Sequence, residues 1–157
     1  MFPLTRRADY AVRIMLELGD KADCGQRVPA TQIAQKTNIP LAFLRKIVAD
    51  LVKAGLVQTY SGPSGGLTLA QPAANINLLH VLEAIEGPIC LNTCLVRPKE
   101  CPRNLTCPVH SFLGRLQANI IQQLQEASLD GLVAEKRELE RSPPEIQSLY
   151  PEVIGVS

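Results

Sequence analysis

A chain of 157 residues has room for one domain, or one small domain with an appendage, and its 46% hydrophobic content builds a core without disulfide staples. The net charge of +1 conceals an uneven split: residues 1–70 hold nine Lys/Arg against five Asp/Glu, and the remainder seven against ten, so the first half is the one suited to a polyanion. Arg6, Arg7 and Asp9 stand where a secretory signal needs apolar residues, and Gly and Pro break the charge-free stretch 54–82, which argues against a leader and a spanning helix and for the cytoplasm.

Thr5 is placed to cap a helix whose apolar positions Ala11, Ile14, Met15 and Leu18 repeat at helical spacing, with Gly19 and Asp20 expected to end it. A short second helix is expected from Thr31 to about Asn38, with Ile33 and Ala34 turned inward. Pro40 opens a third, with Leu44, Ile47, Val48 and Leu51 buried and Gly55 at its C-terminal cap. Leu56–Tyr60 and Leu67–Ala70 are β-prone runs around Ser61-Gly-Pro-Ser-Gly-Gly66, the pattern of a hairpin. The order predicts a mainly α fold with one small β-hairpin, a winged helix-turn-helix that lays its third helix in the DNA major groove.

On that reading the contacts to double-stranded DNA come from Ala42, Phe43, Arg45 and Lys46 on the third helix, with Arg45 best able to reach base edges. Thr31 and Gln32 would meet a phosphate at the start of the second helix, and Ser61, Gly62 and Ser64 of the wing would touch the neighbouring backbone or minor groove. The bland alternative for the basic residues is a solvated face, and for the wing glycines a purely structural role in the turn.

A fourth helix starts at Asn77 or Asn75, carries Leu78, Leu79, Val81, Leu82 and Ile85, and ends at Gly87. From Pro88 to Pro108 the periodicity dissolves into a Cys/Pro-rich loop holding four of the five cysteines, Cys90, Cys94, Cys101 and Cys107, with Ile89, Leu91, Leu95 and Val96 as an apolar lid. His110 to Ala127 then forms an amphipathic helix of about 27 Å, with Phe112, Leu113, Leu116, Ile120, Ile121 and Leu124 on one side. An apolar face outside a domain with its own core implies a second copy as partner. Residues 128–140 are expected to add a charged helical turn or two. The organisation is therefore a winged-helix domain at 1–72, a connecting helix at 73–87, a cysteine loop at 88–109, a dimerisation helix with its extension at 110–140 and an irregular tail at 141–157.

Four segments together resemble a known family: Leu4-Thr-Arg-Arg-Ala-Asp-Tyr-Ala11; Leu44 to Gly66 with its Gly62-Pro63-Ser64-Gly65-Gly66 ending; Val81-Leu-Glu-Ala-Ile-Glu-Gly87; and the cysteine loop running into Pro108-Val-His110. They are similar to the iron-sulfur cluster regulators, the winged-helix family of IscR, NsrR and RirA, in unbroken order over residues 2 to 133. The resemblance implies a homodimeric bacterial repressor or activator at a palindromic operator, controlled by a 2Fe-2S or 4Fe-4S cluster that senses redox, nitric oxide, iron or cluster status. It implies Cys94, Cys101 and Cys107 as cluster ligands, with the fourth being His110 or Asp9 from the other subunit's first helix; Cys90, outside the family pattern, ranks behind both as a ligand and reads first as a spare thiol. The chain departs from the pattern in the six residues between Cys94 and Cys101, where five are common, in the additional Cys90, and in Ser61 at the wing position where IscR-like members carry Arg.

Several alternatives stay open beside it. The cysteine gaps of three, six and five residues fit paired zinc knuckles poorly, but structural zinc and redox-active thiols are the competing readings of the loop. His110 could be a plain surface residue and Asp9 a solvated charge in a first turn, while Cys24 reads as structural. An enzyme is disfavoured: there is no nucleophile-base pair or Cys-x-x-Cys, and the two histidines are His80 and His110.

Overall fold

A computed structural model describes residues 4–22, 25–103 and 105–143 of the chain. Cys24 and residues 144–157 of the expected tail lie outside the described residues.

Helix α1 (Arg6–Ala22) begins where Thr5 Oγ1 accepts the Ala8 N–H at 3.2 Å, satisfying one of the orphan donors of a first turn. Its Ala8, Ala11, Ile14 and Met15 are fully buried. The helix does not stop at Gly19 and Asp20 but continues to Ala22. The physical reason is a close approach: a Cβ on Gly19 would lie 2.8 Å from Val133 Cγ2 and 3.3 Å from Leu129 Cγ, so the glycine makes room for another helix.

Helices α2 (Ala30–Thr37) and α3 (Leu41–Lys53) form the helix-turn-helix. Asn38 adopts the left-handed conformation at φ 55° and lets Ile39 N–H reach the Ala34 carbonyl at 3.1 Å. At the end of α3, Gly55 at φ 74° donates to Val52 and Leu56 donates to Leu51, the paired bonds of a Schellman cap. Leu44, Ile47, Val48 and Leu51 are buried as their spacing predicts.

Strands β1 (Val57–Tyr60) and β2 (Gly66–Leu69) pair antiparallel from Val57 with Leu69 to Tyr60 with Gly66. Val28 adds a bridge on the other edge of β2, exchanging two bonds of 2.9 and 2.8 Å with Leu67. Helix α4 (Leu78–Glu86) starts at Asn77, not Asn75. Asn77 Oδ1 accepts the His80 N–H at 3.0 Å while the Asn77 N–H donates to His80 Nδ1 at 3.3 Å, so His80 is spent on a reciprocal cap.

Helix α5 (Thr93–Val96) is a single turn, α6 (Pro108–Glu126) is the long helix, and α7 (Leu129–Arg141) is a full 13-residue helix rather than a charged turn or two. The reversal between α6 and α7 is fastened to the start of α4: Leu78 N–H donates to Ala127 and Leu129 N–H donates to Ile76, at 2.9 and 2.7 Å. Leu129 and Val133 enter the same core as α1. The charges of this segment dock on α1: Lys136 Nζ lies 2.8 Å from Glu17 Oε1, and Arg137 Nε lies 2.7 Å from Asp20 Oδ1.

Glu17 is 9% exposed and also holds Lys36 of α2 at 2.6 Å. Burial alone would push its carboxyl up, but hydrogen bonds and charge attraction from Lys136 and Lys36 outweigh this and hold it below its ordinary value of 4.5. Asp20 is likewise lowered, first by its hydrogen bond to Arg137. Lys136 is raised, since Glu17 outweighs its partial desolvation. Glu17→Gln is expected to destabilise the protein by about 1–3 kcal/mol at neutral pH, because two lysines lose their counter-charge. A depressed carboxylate gives stability that is lost as pH falls through its folded pKa, so urea titrations should show the wild-type advantage shrinking below about pH 4.

Candidate nucleic-acid interface and metal-ligand loop

All nine residues expected to face DNA are exposed: Thr31, Gln32, Ala42, Phe43, Arg45, Lys46, Ser61, Gly62 and Ser64. On α3 the buried row Leu44, Ile47, Val48 and Leu51 leaves Arg45 and Lys46 pointing outward beside Phe43, which is 50% exposed, with Lys46 Nζ 6.0 Å from the Phe43 ring centre. Arg7 Nη2 pairs with Asp50 Oδ2 at 2.6 Å and ties α3 to α1. Thr31 and Gly62 line one cleft, of about 340 Å³, between the start of α2 and the wing, together with Tyr60 and Pro63. Sequence reading missed one residue here. Arg27 lies outside the recognition elements, but its guanidinium stacks 3.8 Å from the Tyr60 ring centre and donates to the Ser64 carbonyl at 3.4 Å.

The cysteine segment is less irregular than its prolines imply. Cys94 lies in α5, Cys101 follows the 3-10 turn Pro98–Glu100, and Cys107 is the residue on which α6 begins. All four cysteines of the segment are half-buried and free of disulfides. Leu91 N–H donates to Gln117 Oε1 at 3.0 Å, which fastens the start of the segment to α6. Of the expected lid, Ile89 is buried and Leu91 and Leu95 are half-buried, but Val96 is 63% exposed.

The candidate ligands differ in what already occupies them. Cys90 Sγ donates to the Asn92 carbonyl at 3.0 Å. Asp9 is held by Arg13 at 2.7 Å, an i,i+4 ion pair on the outside of α1. His110 Nδ1 is buried and has no hydrogen-bond partner among the described residues, a costly state for an imidazole nitrogen unless something binds it. Three half-buried thiols and that nitrogen are a donor set suited to iron. Among the described residues, however, no three His, Cys, Asp or Glu side chains stand together as a metal site, so the candidate ligands are not gathered in this structure.

Helix α6 buries none of its residues, and Val109, Phe112 and Leu116 are 57, 56 and 39% exposed. Val12, Leu16, Leu78, Leu132 and Leu139 line an apolar groove of about 510 Å³ between α1, α4 and α7. No helix of the described residues is long and apolar enough to cross a membrane.

Helix-turn-helix, hairpin wing and exposed cations on α3 define a winged-helix transcription regulator. The chain belongs to the Rrf2 family, whose model, described as an iron-dependent transcriptional regulator, matches residues 4–135. It is 32% identical over 133 residues to a helix-turn-helix-type transcriptional regulator of Neisseria meningitidis serogroup A, covering 85% of this chain and 88% of that one. It is 30% identical to the transcriptional regulator IscR of Vibrio atlanticus, over 88% of this chain and 79% of the relative. Among solved structures, IscR of T. potens superposes with a TM-score of 0.70 at 20% identity over 95% of this chain and 97% of that one, which bears on the fold alone. The protein is a regulator of transcription and not an enzyme.

Gln117→Ala should release the start of the cysteine segment while leaving α6 helical. The expected result is faster hydrogen exchange at the Leu91 amide, by about fivefold for the loss of one hydrogen bond of about 1 kcal/mol.

Proposed function

We propose that this chain is a homodimeric transcription regulator whose grip on palindromic DNA is set by an iron-sulfur cluster held by Cys94, Cys101, Cys107 and His110. The observation that carries the reading is the partnerless, buried Nδ1 of His110, three residues beyond Cys107 on a segment of half-buried free thiols. It also favours His110 over Asp9, whose carboxylate is paired with Arg13, and over Cys90, whose thiol is bonded to Asn92. Membership of a family described as iron-dependent, and similarity to IscR, support the same cofactor.

A bound cluster supplies a redox-responsive, ligand-exchanging iron centre whose potential depends on charge and hydrogen bonding at the sulfurs. Cys94 lies within α5, Cys101 just after the next turn and Cys107 just before α6, so gathering them fixes α5 and the following turn against the start of α6. His110 in the first turn of α6 passes that order to the long helix. The exposed Val109, Phe112 and Leu116 of α6 match in character the apolar groove between α1, α4 and α7 of a second copy, and closed two-fold pairing would set the spacing of the two α3 helices. Ligation therefore acts by shifting the population of α3 spacings, provided DNA favours one of them. Thr31, Gln32, Ser61, Gly62 and Ser64 position each subunit on phosphates, while Arg45, with Lys46, Phe43 and Ala42, reads base edges.

Protein purified without oxygen is expected to be brown and to contain iron and sulfide. Cys94→Ala, Cys101→Ala and Cys107→Ala should each abolish the visible absorbance, and His110→Ala should change its shape. A colourless wild-type protein carrying zinc overturns the proposal.

A further inference from the structure

Residues 54–82 include the entire hairpin and contain no Asp, Glu, Lys or Arg. A wing lying against DNA meets a row of negative phosphates, and a neutral hairpin offers them only weak dipoles. The structure brings a cation to it from another part of the chain. Val28 is bonded to Leu67 on both sides, and the neighbouring Gly66 leaves no room for a side chain, since a Cβ there would lie 2.9 Å from the Val28 carbonyl oxygen. The backbone just before α2 is thereby pinned to β2. From that anchor the Arg27 guanidinium stacks 3.8 Å from the Tyr60 ring centre and uses one donor, Nη1, on the Ser64 carbonyl at 3.4 Å.

We infer that Arg27 is the cation of the wing and that it contacts a phosphate of the operator backbone. The inference rests on the DNA-binding reading above. A guanidinium has five N–H donors in a planar fork, and stacking on an aromatic face leaves its edges free. Arg27 is exposed, so the donors not used by Ser64 face solvent, and no carboxylate among the described residues pairs with it. Tyr60 and the Ser64 carbonyl hold it in place before DNA arrives, which lowers the ordering entropy that a free arginine loses on binding. Tyr60 also lines the cleft shared by Thr31 and Gly62, so the cation stands beside the same groove as the start of α2 and the tip of the wing.

The test is operator affinity measured by fluorescence anisotropy between 50 and 300 mM salt, with the full chain, for wild type, Arg27→Gln and Arg27→Lys. Glutamine can still donate to Ser64 but carries no charge. Arg27→Gln is expected to weaken binding evenly across operator variants and to make the log–log salt slope shallower by about one per bound subunit, hence about two for a dimer. Arg27→Lys should restore the wild-type slope. Weaker binding with an unchanged slope in the glutamine variant would make Arg27 a prop for the hairpin and overturn the assignment. A loss confined to particular base pairs, or a lysine variant that fails to restore the slope, overturns it too. Wild-type protein that binds no operator at all would remove the DNA-binding reading itself, an outcome distinct from an indifferent Arg27.

Discussion

Helix α1 is the wall that both halves of the molecule share, and a single carboxylate near its end shows how tightly. Glu17 is nearly buried, and it holds Lys36 on one side and Lys136 on the other at 2.6 and 2.8 Å, so the helix-turn-helix and the last helix of the chain are fastened to the same point. Around it, Ile14 and Met15 are fully buried in a core to which α3, α4 and α7 all contribute. The Asp20–Arg137 pair and the absent side chain of Gly19 bring α7 within van der Waals distance of α1. Close-packed cores pass displacement on rather than absorbing it. On the proposed function, that is the route by which a change at α4 and α6, which frame the cysteine segment, would reach α3.

The parts of this fold legible in the sequence are those that a local pattern decides. The buried rows of α1, α3 and α4 follow helical spacing, Thr5 and Gly55 act as the caps their chemistry suggests, and the Gly/Pro turn between two β-prone runs makes the hairpin. The parts that were not legible are decided by distant partners. Gly19 and Asp20 look like a stop signal until α7 is seen packing on them. Residues 129–141 read as only a charged helical turn or two because their apolar stripe is narrow and their lysine and arginine find carboxylates more than a hundred positions away. Val28, one residue in an extended loop, has no pattern of its own; its place on β2 comes from the partner edge.

The candidate site divides in the same way. Exposure of Arg45, Lys46 and Phe43 follows from the buried row on the opposite side of α3, so that face was readable. Arg27 was not, because an arginine before a helix has no distinguishing signal until Tyr60 and Ser64 are found beneath it. In the cysteine segment, composition and resemblance picked out candidate ligands, but short local bonds, such as Leu95 N–H to Asn92 and Cys101 N–H to Pro98, decide where each thiol sits. The burial of His110 Nδ1 without a partner could be seen only in three dimensions; the sequence had ranked His110 and Asp9 together, ahead of Cys90.

The most direct measurement is operator affinity of one oxygen-free preparation, divided into a cluster-loaded portion and a portion stripped by chelator with its cysteines kept reduced. Linkage through α1 requires the two dissociation constants to differ, by roughly 5- to 150-fold if the coupling is of the usual size of 1–3 kcal/mol. Equal affinities across the salt range would contradict the account and leave a winged-helix regulator whose cysteine segment does not speak to DNA.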